Sequence, residues 1–363
     1  MTITTLKLNL GPQHPSTHGV LRLLLELEGE KILSCEPDVG YLHRGMEKMA
    51  EKLTYIQYLP LVDRIDYLAG FFYSELYLRT IEKALNIDLS KKVKHIRTIL
   101  LELNRISSHL LWIGAFLMDL GATSPYFYVF REREMILRYF EKLTGQRMMY
   151  NYFVPGGVRH DIDFLDDIEE IISVLPSRIK DYESIITDNP IFLSRTKDKG
   201  ILSPQNAFNY SITGVNLRAS GINYDIRKND YLYKDIDFKP VIMSQGDCWA
   251  RYKARILEMK ESIKIIKQLL DYLKNAEKLS QNIINPMNIK LPEGVYYSEI
   301  EAPRGLASCY IISDNENKPY RLKWRTGSYY SVNLLRELLK NTLLNDAIAI
   351  SGSLDIILPE VDK

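Results

Sequence analysis

The chain has 363 residues, 46% hydrophobic and 26% charged, the composition of a folded globular protein too long for one ordinary core. Lys plus Arg number 47 and Asp plus Glu 46, so the net charge of +1 gives no overall field for nucleic acid or acidic lipid. Cys35, Cys248 and Cys309 are scattered without a CxxC or other paired spacing, which supports neither a disulfide framework nor an iron–sulfur or zinc site; buried, inert thiols are expected. No run reaches the ~18 apolar residues of a membrane span; the best, Leu110 to Met118, stops at Asp119. The opening MTITTLKLNLGPQ lacks the charged-then-apolar layout of a signal peptide, so the chain is expected to stay on the side of the membrane where it is made and to meet a membrane only through partners.

Residues 1–40 read as a strand region. Val20 to Glu28 alternates imperfectly and Glu28-Gly29-Glu30 turns into Lys31 to Cys35, which predicts a β-hairpin. From Gly45 to about Glu277 the apolar spacing becomes helical, with candidate helices at roughly 46–59, 66–86, 93–119, 127–145, 161–187 and 248–275. In the clearest of these, Ile99, Leu100, Leu103, Ile106, Leu110 and Ile113 recur three and four apart on more than one face, which predicts a central buried helix ending at Gly121. Residues 189–245, rich in Asn, Asp and Tyr, read as a loop-rich insert within a helical core of 41–277. Residues 278–292, polar with two prolines, read as a linker. The last region, 293–363, returns to strand pattern in VYYSEIEA, SCYIISD and PYRLKWR, with a short helix near 333–343. The fold class expected is α+β, a central helical bundle with small β structure at both ends.

Five stretches concentrate polar chemistry. In Gly11-Pro12-Gln13-His14-Pro15-Ser16-Thr17-His18-Gly19, two histidines stand four apart, but the prolines and glycines forbid the helix that would pair them on a metal. A rigid loop remains, able to present donors to a polar head group or simply to cap its neighbours. Glu36 to Glu47 reads as a turn into a charged helix start. Asp63-Arg64-Ile65-Asp66-Tyr67 reads either as a surface ion network or as a fixed cation beside a phenol donor. Glu102, Arg105 and His109 place charge on an otherwise apolar helix, where it must be paired internally or face a cavity or partner. Asp119 closes that helix, where the dipole disfavours a carboxylate and calls for a partner. Phe130-Arg131-Glu132-Arg133-Glu134 reads as a solvated face. No G-x-G-x-x-G, Walker or G-x-S-x-G motif occurs.

Together GPQHPSTHGVLRL, GYLHRGMEK, DRIDYL, LELNRISSHLLWIGAFLMDLGATSPYFYVFRERE, YNYFVPGGV, TGVNLRASGINYDIRK and GSLDIILPEVD closely resemble one family, the D subunit of NADH-quinone oxidoreductase, which is the quinone-site subunit of complex I. The resemblance implies a fold similar to the [NiFe] hydrogenase large subunit. It implies no cofactor bound by this chain itself, with quinone as substrate and a [4Fe-4S] cluster in the adjoining iron–sulfur (B) subunit. The C subunit, the ferredoxin-like I subunit and the membrane-embedded H subunit are the other implied partners, and proton translocation is the implied coupled process. The location implied is peripheral, on the cytoplasmic, matrix or stromal face of the energy-transducing membrane. His18 and Tyr67 match the residues proposed to bind the quinone carbonyls, and Asp119 the carboxylate paired with the loop histidine; these three form the implied catalytic group. Arg64 and His109 match residues close to the partner's cluster.

Such a set suits quinone reduction, because donors aimed at the carbonyl oxygens stabilise developing negative charge and an imidazole donates a proton near neutral pH. The alternative is a cofactor-less structural subunit of an energy-converting hydrogenase-type complex. A nickel site of that kind needs two cysteine pairs, and neither Gly40 to Arg44 nor Asp355 to Leu358 contains a cysteine. The linker 278–292 is short for the family and resembles forms that lack the NADH-oxidising module, for which NADH, ferredoxin or another carrier is the electron donor. Arg325 to Tyr330, Pro359 and Lys363 also depart from the family pattern, at the C-terminal contacts.

Overall fold

A computed structural model describes residues 5–13, 19–285 and 289–363. The N-terminal sheet is antiparallel, in order β1 (Leu6–Leu10), β2 (Arg22–Glu28), β3 (Lys31–Asp38). The expected hairpin is β2–β3, joined by a further strand in front. Leu23, Leu25 and Leu27 of β2 point inward at period two and bury one face of the sheet.

The helical segment expected at 46–59 is two helices, α1 (Met46–Ala50) and α2 (Tyr55–Val62). Thr54 starts the second with a capping box: its hydroxyl accepts from Gln57 N, and the Gln57 side chain accepts from Thr54 N. α3 (Gly70–Ala84) begins four residues later than its apolar spacing suggests. The Asp66 carboxylate accepts from Leu68 N at 3.0 Å, a local bond that competes with helix and leaves 63–69 as a turn.

α4 (Lys91–Asp119) is buried on every side and packs against α3, α5 (Thr123–Thr144), α10 (Cys248–Lys274) and α12 (Leu344–Ser353). It ends in a Schellman motif: Gly121, at φ +89°, donates to Met118 O, and Ala122 N donates to Leu117 O. Only part of the charged stretch 131–134 is a solvated face: Arg131 is exposed and Glu134 half-buried. Glu132 is buried and takes Tyr182 Oη and the Arg131 guanidinium, while Arg133 is buried with its guanidinium over the Phe130 ring. Packing of α6 (Leu165–Tyr182) against α5 turns that part of the helix inward.

A two-stranded hairpin, β4 (Phe153–Val154) and β5 (Gly157–Val158), leads into α6, which runs into a π turn at Glu183–Thr187. The insert holds α7 (Pro190–Thr196), α8 (Pro204–Asn209), α9 (Gly214–Arg218) and a 3₁₀ turn at Ile226–Asn229. The segment read as a linker is pinned along part of its length. Gln281 donates to Val158 O and accepts from Val158 N, and Ile284 N donates to Pro155 O. A Cβ on Gly156 would lie 2.0 Å from Asn282 O, so this approach requires glycine.

The second sheet is antiparallel, β6 (Gly294–Ala302), β7 (Gly305–Ser313), β8 (Arg321–Arg325). α11 (Gly327–Leu338), α12 and α13 (Leu358–Val361) follow; the last two are absent from the sequence expectation. The three cysteines are buried free thiols, and burial pushes Cys35 up to about 12. Among the described residues no helix is long and apolar enough to cross a membrane.

Candidate functional site

The turn at 63–69 divides its side chains by direction. Asp63 and Asp66 are buried, Tyr67 is half-buried and Arg64 is exposed. The surface ion network is therefore not what forms. Asp63 accepts from Ser74 Oγ and from Asn151 N at 3.2 Å. Asp66 accepts from Arg304 Nη1 at 2.8 Å. Burial pushes Asp63 up to about 6 and Asp66 to about 7, and burial together with the Asp66 charge raises the Tyr67 phenol.

Arg64 donates to Pro60 O, and Arg44 Nη2 donates to Arg64 O at 2.8 Å. Two guanidinium-bearing residues thus meet on one surface. The sequence reading passed over Arg44 as part of a charged helix start. Arg64 borders a cleft of about 370 Å³ with Pro60, Met149, Tyr150, Asn151 and Arg159. A cleft of about 520 Å³ between α3 and β6 contains none of the candidate residues.

The Arg44 turn is held by the C-terminus. Asp362 Oδ1 accepts from Gly40 N at 2.8 Å, its Oδ2 accepts from Leu42 N at 2.9 Å, and its carbonyl lies 3.2 Å from His43 Nδ1. Bonds to a charged acceptor contribute about 1.5–3 kcal/mol each. Asp362→Ala is therefore expected to loosen residues 38–45, detectable as faster amide exchange at Gly40 and Leu42. Unchanged exchange there would show that the latch does not hold the turn.

The charges of α4 are paired inside the protein. Glu102 lies 3.2 Å from Arg105 Nε and also accepts from Tyr233 Oη and Ser262 Oγ. Glu258 accepts from His109 at 2.7 Å, Arg218 at 2.7 Å and Arg227 at 2.9 Å. Burial lowers the His109 imidazole, so it is neutral at pH 7 and donates through Nε2–H to a carboxylate that its cations keep ionised. His109 has no exposed surface; any influence on a partner passes through this network.

Asn104 Nδ2 donates to Leu68 O at 2.9 Å and Arg304 Nη2 to Ser108 Oγ at 2.9 Å, which ties the 63–69 turn to the middle of α4. Asp119, half-buried at the end of α4, is 11 residues on from Ser108, or about 16 Å at the helical rise. The described residues therefore gather Arg44, Arg64, Asp66 and Tyr67 into one region and leave Asp119 at another level. Beside Asp119 lies an apolar cleft of about 170 Å³, lined by Leu117, Leu120, Gly121, Ile185, Ile191 and Phe192. His18 lies outside the described residues. Gly19, the next residue, packs near Leu358 of α13. Among the described residues no group of His, Cys, Asp or Glu is arranged to hold a metal ion.

Residues 119–363 match the family model described as respiratory-chain NADH dehydrogenase, 49 Kd subunit. The chain is 44% identical to the H 1 subunit of the NAD(P)H-quinone oxidoreductase of Gloeobacter violaceus, over 98% of this chain and 97% of the relative. It is 44% identical to the D subunit of the NADH-quinone oxidoreductase of Desulfotalea psychrophila, over 99% and 97%. It is also 44% identical to the H subunit of the chloroplastic NAD(P)H-quinone oxidoreductase of Marchantia polymorpha, over 98% and 97%. An α+β chain so similar over its whole length is a subunit of an oxidoreductase complex of the complex I type. It belongs to the family of the 49 kDa subunit of respiratory-chain NADH dehydrogenase, which includes the D subunits of the NADH-quinone oxidoreductases.

Proposed function

We propose that this chain builds the quinone-reducing site of its complex together with an adjoining iron–sulfur subunit, and that Tyr67 and His18 hydrogen-bond the quinone head group. The observation that carries the reading is the turn at 63–69. Two buried aspartates anchor it, so Tyr67 and Arg64 reach the surface from a rigid base. A phenol held this way supplies a donor where negative charge develops on a quinone oxygen. Arg64 and Arg44 supply fixed positive charge on the same surface, which favours electron arrival from a reduced partner centre. The partner's [4Fe-4S] cluster delivers the electrons; this chain binds, orients and protonates. The B, C, I and H subunits are the neighbours in the assembly, which sits peripherally on the cytoplasmic, matrix or stromal side of the membrane. Reduction is coupled to proton translocation through a change of charge at the His18–Asp119 pair.

In the intact complex, Tyr67→Phe is expected to lower reduction of a short-chain quinone by about 10²–10³-fold, the effect of removing one donor from a developing anion. Electron flow to an artificial acceptor that takes electrons upstream should be unchanged. If quinone reduction survives at the normal rate, the quinone head group binds elsewhere.

A further inference from the structure

Arg133 of α5 is a buried guanidinium without a counter-ion. It is 8% exposed, and among the described residues it forms no ion pair and donates no hydrogen bond; its Nε is fully enclosed and unpartnered. The other buried arginines are served differently. Arg97, Arg218, Arg227 and Arg304 each meet a carboxylate within 2.8 Å. Arg251, which has no carboxylate, donates instead to Gly246 O, Gly200 O and Ser353 Oγ.

The rest of the chain does not supply the missing charge. The groups facing Arg133 are Tyr126, Tyr150, Glu134 and Arg147, and it acts in turn on Tyr67. Arg147 is a like charge, and Glu134 is already held by Arg147 at 2.6 Å and by Arg138 at 3.2 Å. Residues 1–4, 14–18 and 286–288, outside the described ones, contain no Asp or Glu. A buried charge left unpaired is strongly unfavourable, so the counter-ion comes from outside the chain.

The surroundings of Arg133 are those of a protein interface. Phe130, one turn earlier on α5, has its ring 5.7 Å from the guanidinium and stacks on Tyr126 with centroids 4.2 Å apart. Phe127 meets Tyr126 edge-on at 5.6 Å and is 67% exposed. The stacked pair rests on α4 at Gly114, where a Cβ would lie 3.3 Å from both rings; Met118, one turn further along α4, is exposed as well. Aromatic residues, Met and Arg are enriched at interface cores, and a desolvated Arg beside aromatic anchors has the anatomy of a binding hot spot.

We propose that the α5 face built by Tyr126, Phe130 and Arg133 docks an adjoining subunit of the complex, with an Asp or Glu side chain of that subunit closing on Arg133 as its counter-ion. The guanidinium fork offers a carboxylate two parallel hydrogen bonds, and the aromatic rings keep water from the pair. A carboxylate built into a neighbour compensates the charge at all times, whereas a quinone oxygen does so only while reduced. The docking requires that the chain works inside a multisubunit complex, and it stands whether or not Tyr67 binds quinone.

The test compares the intact complex with complexes carrying Arg133→Met and Arg133→Lys. Arg133→Met leaves the neighbour's carboxylate buried and unpaired, so that subunit should bind about 10²–10³-fold more weakly and dissociate at a lower temperature. Arg133→Lys keeps the charge and should restore most of the association. Treated with a zero-length carbodiimide, the Arg133→Lys complex should form an amide between position 133 and an Asp or Glu of one neighbouring subunit, which mass spectrometry of the cross-linked peptides identifies. An Arg133→Met complex of full subunit content and equal or higher melting temperature would overturn the proposal, because an unpaired charge would then have been removed to advantage. If that complex also loses quinone reduction while upstream electron flow survives, the counter-ion is the quinone and the docking is equally overturned. Should Arg133→Met keep the chain from accumulating, the cross-link decides: an amide from position 133 to another subunit upholds the docking, and its absence overturns it.

Discussion

Replacing Glu258 by alanine is expected to destabilise the chain by about 3–5 kcal/mol, enough to deplete the assembled complex. The carboxylate is fully buried and accepts from Arg218, Arg227 and His109. Removing it leaves two buried guanidinium groups with less compensation, although Arg218 keeps Glu301 at 2.5 Å and Arg227 keeps Asp225 at 2.7 Å. The cluster has four carboxylates, Glu102, Asp225, Glu258 and Glu301, against Arg105, Arg218 and Arg227. Burial raises Glu301 while the other three acids are lowered, and its Oε2 lacks a hydrogen-bond partner among the described residues, so of the four it is the acid held least firmly in its charged form. When Glu258 is removed, Glu301 can ionise and restore neutrality. The double variant Glu258→Ala, Glu301→Gln should therefore be worse than the sum of the single changes in a double-mutant cycle. Additivity would show that Glu301 is already ionised in the unmodified protein.

The period-two pattern around Leu23 to Leu27 and the three-and-four spacing from Ile99 to Ile113 specify elements whose burial follows directly from apolar alternation, and both are present as expected. Boundaries failed where a polar side chain competes with the backbone: Thr54 restarts a helix, and Asp66 holds a turn open. The charge of Glu132 looks solvated in sequence because nothing local shows that Tyr182 of α6 covers it. The same limit applies at the candidate site. Tyr67, Arg64, His109 and Asp119 stand in motifs, but Arg304, Asp355 and Glu360 reach Asp66 across more than two hundred residues of chain. No spacing rule connects them. The one local sign is Arg304 before Gly305 in a tight turn between two strands, a charged residue where the sheet turns inward.

That turn sets the second large effect. Gly327 is the first residue of α11, where alanine would ordinarily strengthen a helix by up to about 1 kcal/mol. Here a Cβ would lie 2.1 Å from Arg304 O and 2.8 Å from Arg304 C. Both are backbone atoms, and they cannot swing aside as a side chain could. A Cβ on Gly214 would likewise meet Gly305 Cα at 2.4 Å, so the turn is also closely approached by a second backbone segment. Gly327→Ala is therefore expected to reverse the sign of the helix preference and cost about 1–3 kcal/mol. The loss should not stop at stability. Arg304 holds Asp66 and Ser108, and through them the Tyr67 turn and α4, so a displaced turn moves the phenol proposed as the quinone donor. Positioning errors of about 1 Å cost on the order of 10²-fold in rate. Complexes carrying Gly327→Ala should melt earlier and lose quinone reduction more steeply than upstream electron flow. A melting temperature equal to or above that of the unmodified complex would show that the close approach is relieved at no cost, and that the Arg304 turn is not the rigid base on which Tyr67 stands.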